Sequence, residues 1–312
     1  MPEDSRVEAF FDYIDFVSHT LYDHAKVPYL RGVEQSLGFS LNRPLEYTLA
    51  DAAQDSIDQS KQEVLGMSLS REEARKAVQL ALLKGFKHER ITNAMVTPDV
   101  LGIFMAYLVR RLFSDKKVKS VLDPLVGTGN LVAAFANHYE NVKLYGVDSD
   151  AMLCNIALYL TELLGMQAEI THQDTLGFQT APVDLILTDL PVESVDRRHT
   201  YFPYQVILHH LEHLKAEGFF LAVVENDFFE QEEVGVFKDQ LFKLAHLYGL
   251  LKLDETLFQN HPKSILILKK KKHEGEEHVK DFLLANLPPF TDEASFKNAM
   301  QKIDNFFNKK RG

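Results

Sequence analysis

Hydrophobic residues near the start of the chain recur at steps of three and four: Val7, Phe10, Phe11, Ile14, Val17 and Leu21. That period places them on one face of an amphipathic helix. A second helix is predicted after Ser70, where Ser70 and Glu73 have the spacing of a capping box and Gly85 follows the apolar run as a stop signal. Residues 1–92 therefore read as a helical region, and no catalytic motif is evident in them.

From Thr97 the pattern changes. Thr97, Pro98 and Asp99 combine a capping oxygen, a proline for the first helical turn and an acid at the positive end of the dipole. Beyond that predicted helix, short apolar runs alternate with helical patterns: KSVLD, KLYGVD, AEITHQD, VDLILTD, GFFLAVVEN, YGLLKLDE and SILILKK. Such alternation predicts an α/β fold, a mainly parallel sheet wound on both faces by helices. The last two runs are joined too briefly for a crossover helix, so an antiparallel edge is expected there. The lysine run Lys269 to Lys272 reads as a solvated strand exit, ahead of a linker and a final helix near residues 291–308. The expected division is 1–92 helical, 93–273 sheet-containing, and 274–312 linker and helix.

Composition adds exclusions. A chain of 312 residues with 46% hydrophobic and 25% charged side chains has ordinary globular make-up, so most of it should fold. No apolar run approaches the ~20 residues that cross a bilayer, and the opening MPEDSRVEAFF lacks the basic-then-apolar order of a secretory signal. A cytoplasmic protein without membrane partners is expected. The single cysteine, Cys154, excludes an internal disulfide and a cysteine zinc cage, and its apolar helical setting in MLCNIALYL predicts a buried structural thiol. A net charge of -11 argues against nucleic-acid binding by the whole surface and restricts any such partner to a local cleft.

The chemistry concentrates at predicted strand ends. Asp123 closes the first strand; Gly127 and Gly129 allow a tight turn and close backbone approach to a ligand, and Asn130 opens the next helix. Asp148, nineteen residues after Gly129, stands where an acid accepts from ribose hydroxyls. Asp174 ends the third strand and is placed to accept from an adenine amino group. Together these residues outline an adenosine. NAD would call for G-x-G-x-x-G, whereas DPLVGTGN lacks that spacing and puts a carboxylate at the loop's mouth, which opposes pyrophosphate and suits the cationic amino acid end of S-adenosylmethionine.

With these residues in place, the chain resembles class I S-adenosylmethionine-dependent methyltransferases, in the branch that methylates the exocyclic amine of adenine in DNA. Within that branch it is similar to the modification subunit of type I restriction systems. The similarity covers about residues 90–270, including VTPDVLGIFMAYL, VLDPLVGTGNL, YGVDSDAMLCNIALYL, HQDTL, VDLILTDLPV, HLKAEGFFLAVVEN and LFQNHPKSILILKKK. It implies a Rossmann-like fold with seven strands and an antiparallel terminal hairpin. It also implies S-adenosylmethionine as cofactor, with Thr97 and Pro98 beside the donor's methionine part, Asp148 on its ribose and Asp174 on its adenine. The full donor-binding set drawn from these motifs adds Pro124, Thr128, Leu131, Ser149, Thr175 and Leu176 to Asp123, Gly127, Gly129 and Asn130.

In the same resemblance ILTDLPV corresponds to the catalytic loop Asn/Asp/Ser-Pro-Pro-aromatic. There a side-chain oxygen and a main-chain carbonyl each accept one N–H of the target amine, and the aromatic ring stacks on the flipped base. Asp189 supplies the oxygen, Leu190 the carbonyl and Pro191 the retained proline. Val192 replaces the aromatic platform, a loss of ~1–3 kcal/mol in stacking. Tyr201, Phe202 and Tyr204 either supply a substitute face or anchor the next helix. His209, Glu212 and His213 spell H-x-x-E-H, but they lie in the predicted helix YQVILHHLEHL, no third ligand is evident, and no metal is assigned.

Three functions stay open at this stage. The leading one is methyl transfer to adenine in DNA or RNA, with base reading left to the helical region or a partner subunit. The second keeps the donor and changes the acceptor to a protein or small molecule. The third is a donor-binding interaction module that has lost catalysis.

Overall fold

The computed structural model describes residues 3–90, 97–113, 117–139, 141–191, 201–258, 261–277 and 281–309. Four helices come first: α1 (Glu3–Ala25), α2 (Tyr29–Ser40), α3 (Asp51–Leu65) and α4 (Arg71–His88). Their apolar stripes meet in one core, with Val7, Phe10, Ile14, Val17 and Leu21 of α1 packed against Leu30, Val78, Leu82 and Phe86. The capping box forms as expected: Glu73 N–H donates to Ser70 Oγ at 3.2 Å and Ser70 N–H to Glu73 Oε2 at 2.7 Å. Gly85, however, does not end the helix. It lies inside α4, where a Cβ would collide with Leu30, so its lack of a side chain serves close helix packing.

The rest alternates strands and helices: α5 (Asp99–Phe113), β1 (Ser120–Asp123), α6 (Asn130–Ala136), β2 (Lys143–Asp148), α7 (Ala151–Leu163), β3 (Gln167–His172), β4 (Val183–Asp189), α8 (Phe202–Leu211), β5 (Leu214–Glu225), α9 (Val234–Leu244), β6 (Ala245–Lys252), β7 (Lys263–Lys270), β8 (Leu283–Asn286) and α10 (Glu293–Lys309). One sheet of eight strands has the order β3-β2-β1-β4-β5-β7-β6-β8. Strands β3, β2, β1, β4 and β5 run parallel, and β7 enters antiparallel between β5 and β6. All seven predicted strands form. The eighth, only four residues long, pairs parallel with β6 and takes the sheet edge that had been expected for the hairpin.

Cores lie on both faces of the sheet. On one, Leu101, Met105 and Val109 of α5 pack with Phe135 of α6 and with Ile303 and Phe307 of α10. On the other, Tyr204 and Ile207 of α8 meet Phe237 and Leu241 of α9. The first four helices share their core with Ala133 of α6 and Ile156 and Leu160 of α7, so they are welded to the helices beside the sheet's first strands. Cys154 is buried, and burial pushes its thiol up to about 11, as befits an inert packing residue. The lysine run is not a solvated exit. Lys270 donates to the Leu211 carbonyl at 2.5 Å and Lys271 to the Phe242 carbonyl at 2.7 Å, while Lys269 and Lys272 both approach Glu217. The run thus pins the end of β7 to carbonyls late in α8 and α9. No helix among the described residues is long and apolar enough to cross a membrane.

Candidate functional site

From β1 the chain winds outward through β2 and β3, then returns to β4 on the other side of β1. Such a reversal opens a crevice beyond the carboxyl ends of the strands. Asp123, Asp148 and Asp189 are the last residues of β1, β2 and β4, so the sheet's connectivity alone brings three acids from distant segments to one mouth. The cleft there has a volume of about 350 Å³. Of the predicted residues, Thr97, Asp123, Gly127, Thr128, Asn130, Leu131, Asp148, Ser149, Asp189, Leu190, Pro191 and Phe202 line it, joined by Leu125, Val126, Asp150 and Leu153. A larger cavity of about 680 Å³ lies between β8 and α10, but no carboxylate lines it and it is remote from the strand-end acids.

The loop after β1 is held by the strand-end acids. Asp148 Oδ2 accepts the Gly127 N–H at 3.0 Å and its Oδ1 accepts the Asp150 N–H at 2.9 Å. Gly127 has φ +51°, and a Cβ there would meet nothing within 4 Å, so the backbone stands open to the cleft. Gly129, at φ +77°, has another role: a Cβ there would lie 3.0 Å from the Ala157 side chain, so its absence lets α7 pack close, and it does not line the cleft. Asp123 is buried at 1% exposure, with Oδ1 accepting the Leu125 N–H at 3.1 Å. Burial pushes its carboxyl up to about 7, against the pull of the Leu125 N–H and the Thr188 hydroxyl.

Asp189 has both oxygens engaged. Lys263 Nζ donates to Oδ1 at 2.6 Å, and the Thr97 hydroxyl donates to Oδ2 at 3.0 Å. Burial moves its carboxyl upward, opposed by Lys263 and Thr97. The Thr97 side chain is therefore not the cap of α5; its hydroxyl is drawn to the strand-end acid instead. Asn130 is equally committed. Its amide donates to the Thr97 carbonyl at 2.8 Å, and its oxygen accepts from Arg75 at 3.1 Å. Arg75, 1% exposed, also binds Asp99 at 2.7 Å and Glu72 through two nitrogens at 2.9 and 2.7 Å.

Several predicted residues stand elsewhere. Pro98, Pro124, Asp174, Thr175, Leu176 and Tyr201 do not line the cleft. The exposed Asp174 carboxylate caps a 3-10 turn by accepting the Leu176 N–H at 3.0 Å, and the Thr175 hydroxyl is buried against the Pro124 carbonyl at 2.6 Å. Tyr201 and Tyr204 are anchors of α8: their rings meet edge-on at 4.9 Å, and Tyr204 stacks on Phe237 at 4.0 Å. Phe202, by contrast, lines the cleft, as Pro191 does. Val192 lies outside the described residues. Sequence reading missed Lys263 and Arg75. A lysine opening an otherwise apolar strand was the available signal for the first; nothing in EEARKAV marks the second.

The comparisons with known proteins bear on this geometry. The profile of the family described as N-6 DNA Methylase matches residues 82–310. The chain belongs to the N-6 DNA methylase family. A profile described as the YtxK N-terminal helical domain matches residues 8–86 of this N-6 DNA methylase family member. One curated relative, the uncharacterized protein YtxK of Bacillus subtilis (strain 168), is 33% identical over 254 residues, 76% of this chain and 77% of its own. The crystal structure of a candidate class I S-adenosylmethionine-dependent methyltransferase from Listeria monocytogenes superposes with a TM-score of 0.87 at 28% identity, covering 97% of this chain and 99% of that one. A modification subunit of a candidate type I restriction enzyme from Vibrio vulnificus YJ016 shares the fold, with a TM-score of 0.69 and 16% identity over 88% of this chain and 66% of its own. Family and fold are those of S-adenosylmethionine-dependent methyltransferases, and S-adenosylmethionine is the cofactor they imply.

Proposed function

We propose that this chain binds S-adenosylmethionine in the cleft at the β1/β4 reversal and transfers its methyl group to the exocyclic amine of adenine in DNA, or else in RNA. The observation that carries the reading is the convergence of Asp123, Asp148 and Asp189 on one cleft that an aromatic ring, Phe202, also lines. The residues fit the donor. A buried carboxyl at Asp123 suits a cationic ligand, Gly127 leaves the backbone accessible, and the volume is that of a small-molecule site. In this reading Asp123 receives the amino acid end and Asp148 the ribose hydroxyls. Asp174, exposed and turned to its own cap, contributes less than the resemblance implied.

When bound, the donor supplies a methyl group on a sulfonium, poised for in-line displacement. The chain's own task is to present the amine. Each Asp189 oxygen has a second lone pair for an amine N–H, and Oδ2, held only by the neutral Thr97 hydroxyl, is the freer of the two. Oδ2 therefore turns to substrate, while Lys263 holds Oδ1 and keeps the carboxylate oriented. The Leu190 carbonyl is the second acceptor. Phe202 takes the stacking role that Val192 cannot fill. Base reading falls to the N-terminal helices or to a partner subunit, since phosphate contacts carry no sequence information.

One observation favours a second reading, a donor-binding module without transfer: both Asp189 oxygens are already occupied, one by a cation. Incubation with radiolabelled donor and separate pools of DNA, RNA, protein and metabolites distinguishes the two. Label in adenine of DNA or RNA is expected, reduced by one to two decades in Phe202→Ala with donor binding unchanged. Label confined to protein or metabolites, or donor bound with no pool labelled, rejects the adenine assignment.

A further inference from the structure

Where α8 ends, His209, His210 and His213 each bring a ring nitrogen within 4.8 Å of the other two. His210 and His213 are buried, and His209 is half-buried. Their hydrogen bonds decide where the protons sit. His209 Nε2 lies 3.0 Å from the Phe178 carbonyl and His213 Nε2 lies 3.1 Å from Gln179 Oε1. Both oxygens only accept, so both nitrogens carry hydrogen. The Thr175 hydroxyl donates to the Pro124 carbonyl at 2.6 Å and can therefore only accept, at 2.8 Å, from His210 Nε2.

With these tautomers each imidazole, in its neutral form, keeps a bare Nδ1 lone pair. Two of these, on His210 and His213, face each other across 3.3 Å. Facing lone pairs repel unless a cation lies between them. Imidazole nitrogens held at 2.0–2.1 Å by a tetrahedral zinc ion stand about 3.3–3.4 Å apart, which matches this separation.

We propose that His209, His210 and His213 bind a divalent transition-metal ion of the zinc class through their Nδ1 atoms. The Phe178 carbonyl, Thr175 hydroxyl and Gln179 amide oxygen are the outer acceptors that orient the three rings, an arrangement that metal-bound histidines characteristically need. A ligand set of imidazoles alone selects zinc, cobalt, nickel or copper over magnesium or calcium. The ligating pattern is H-H-x-x-H, with His210 as the third ligand that the H-x-x-E-H reading lacked; Glu212 is exposed. The ion would fasten α8 to the segment after β3 and, through Thr175, to Pro124 of the donor loop. Its binding is independent of methyl transfer.

The test uses the untagged full chain, stripped with chelator, dialysed and titrated with cobalt(II) while the visible spectrum is followed. One cobalt per chain with tetrahedral d–d bands is expected, displaced by zinc. Affinity should fall at least tenfold in His209→Ala and about tenfold in Gln179→Ala, with far-ultraviolet circular dichroism unchanged; both side chains lie outside the buried pair, so the fold is expected to survive. A wild-type chain without bands, as expected if a turned Gln179 amide lets His213 donate to His210, or bands undiminished in both variants, which would place the ion elsewhere, would overturn the proposal.

Discussion

Asp123 is the side chain whose charge depends most on what occupies the cleft. Burial pushes its carboxyl up to about 7, and a cationic donor favours the ionised form. Binding below that pH therefore releases a proton. Donor affinity is predicted to rise by up to tenfold per pH unit as pH approaches about 7 and to level off above it, with the slope abolished in Asp123→Asn; calorimetry across pH 5.5 to 8.5 measures both. The Asp189–Lys263 pair makes a different prediction. With side-chain exposures of 11% and 2%, it is a buried ion pair, and Lys263→Met would strand the carboxylate. A loss of about 3–5 kcal/mol is expected in urea unfolding, largely recovered when Asp189→Leu is added. The strand-end acids were legible because an aspartate closing an apolar run marks its own position. Lys263 was not, since its partner lies 74 residues away and only the β5–β7 pairing brings it near.

Among the elements, α4 connects the helical region to the cleft. Arg75 reaches from it to Asp99 at the start of α5 and to Asn130 at the start of α6, so one guanidinium fixes both segments that carry Thr97 and the donor loop. Arg75→Met should cost about 3 kcal/mol, because Asp99 and Glu72 keep some solvent while the Asn130 oxygen does not. It should also weaken donor binding without touching the donor. Arg75→Lys should restore little of either, since one ammonium cannot hold three partners in a plane; urea unfolding and calorimetry on both variants check this. Element types were readable from periodicity, yet two end signals misled. Gly85 looked like a stop but relieves contact with Leu30, and Thr97 looked like a cap but donates to Asp189. In both cases a tertiary partner outweighed the local preference that the sequence displays.

For the molecule as a whole, the alternation of strands and helices foretold the wound sheet, and the brief link between the sixth and seventh strands foretold their antiparallel pairing. The four-residue β8 escaped because LLAN is too short to show a period, and its place is set by pairing with β6. Sheet order then explains why residues between 97 and 202 share one cleft while Asp174, one strand further out, does not. The central claim is that this cleft receives S-adenosylmethionine. Isothermal titration of that compound into the purified chain tests it most directly. The account predicts one site per chain, with affinity at least tenfold lower in Asp148→Ala and at pH 7.5 in Asp123→Asn; no heat beyond dilution, or equal binding by both variants, would contradict it.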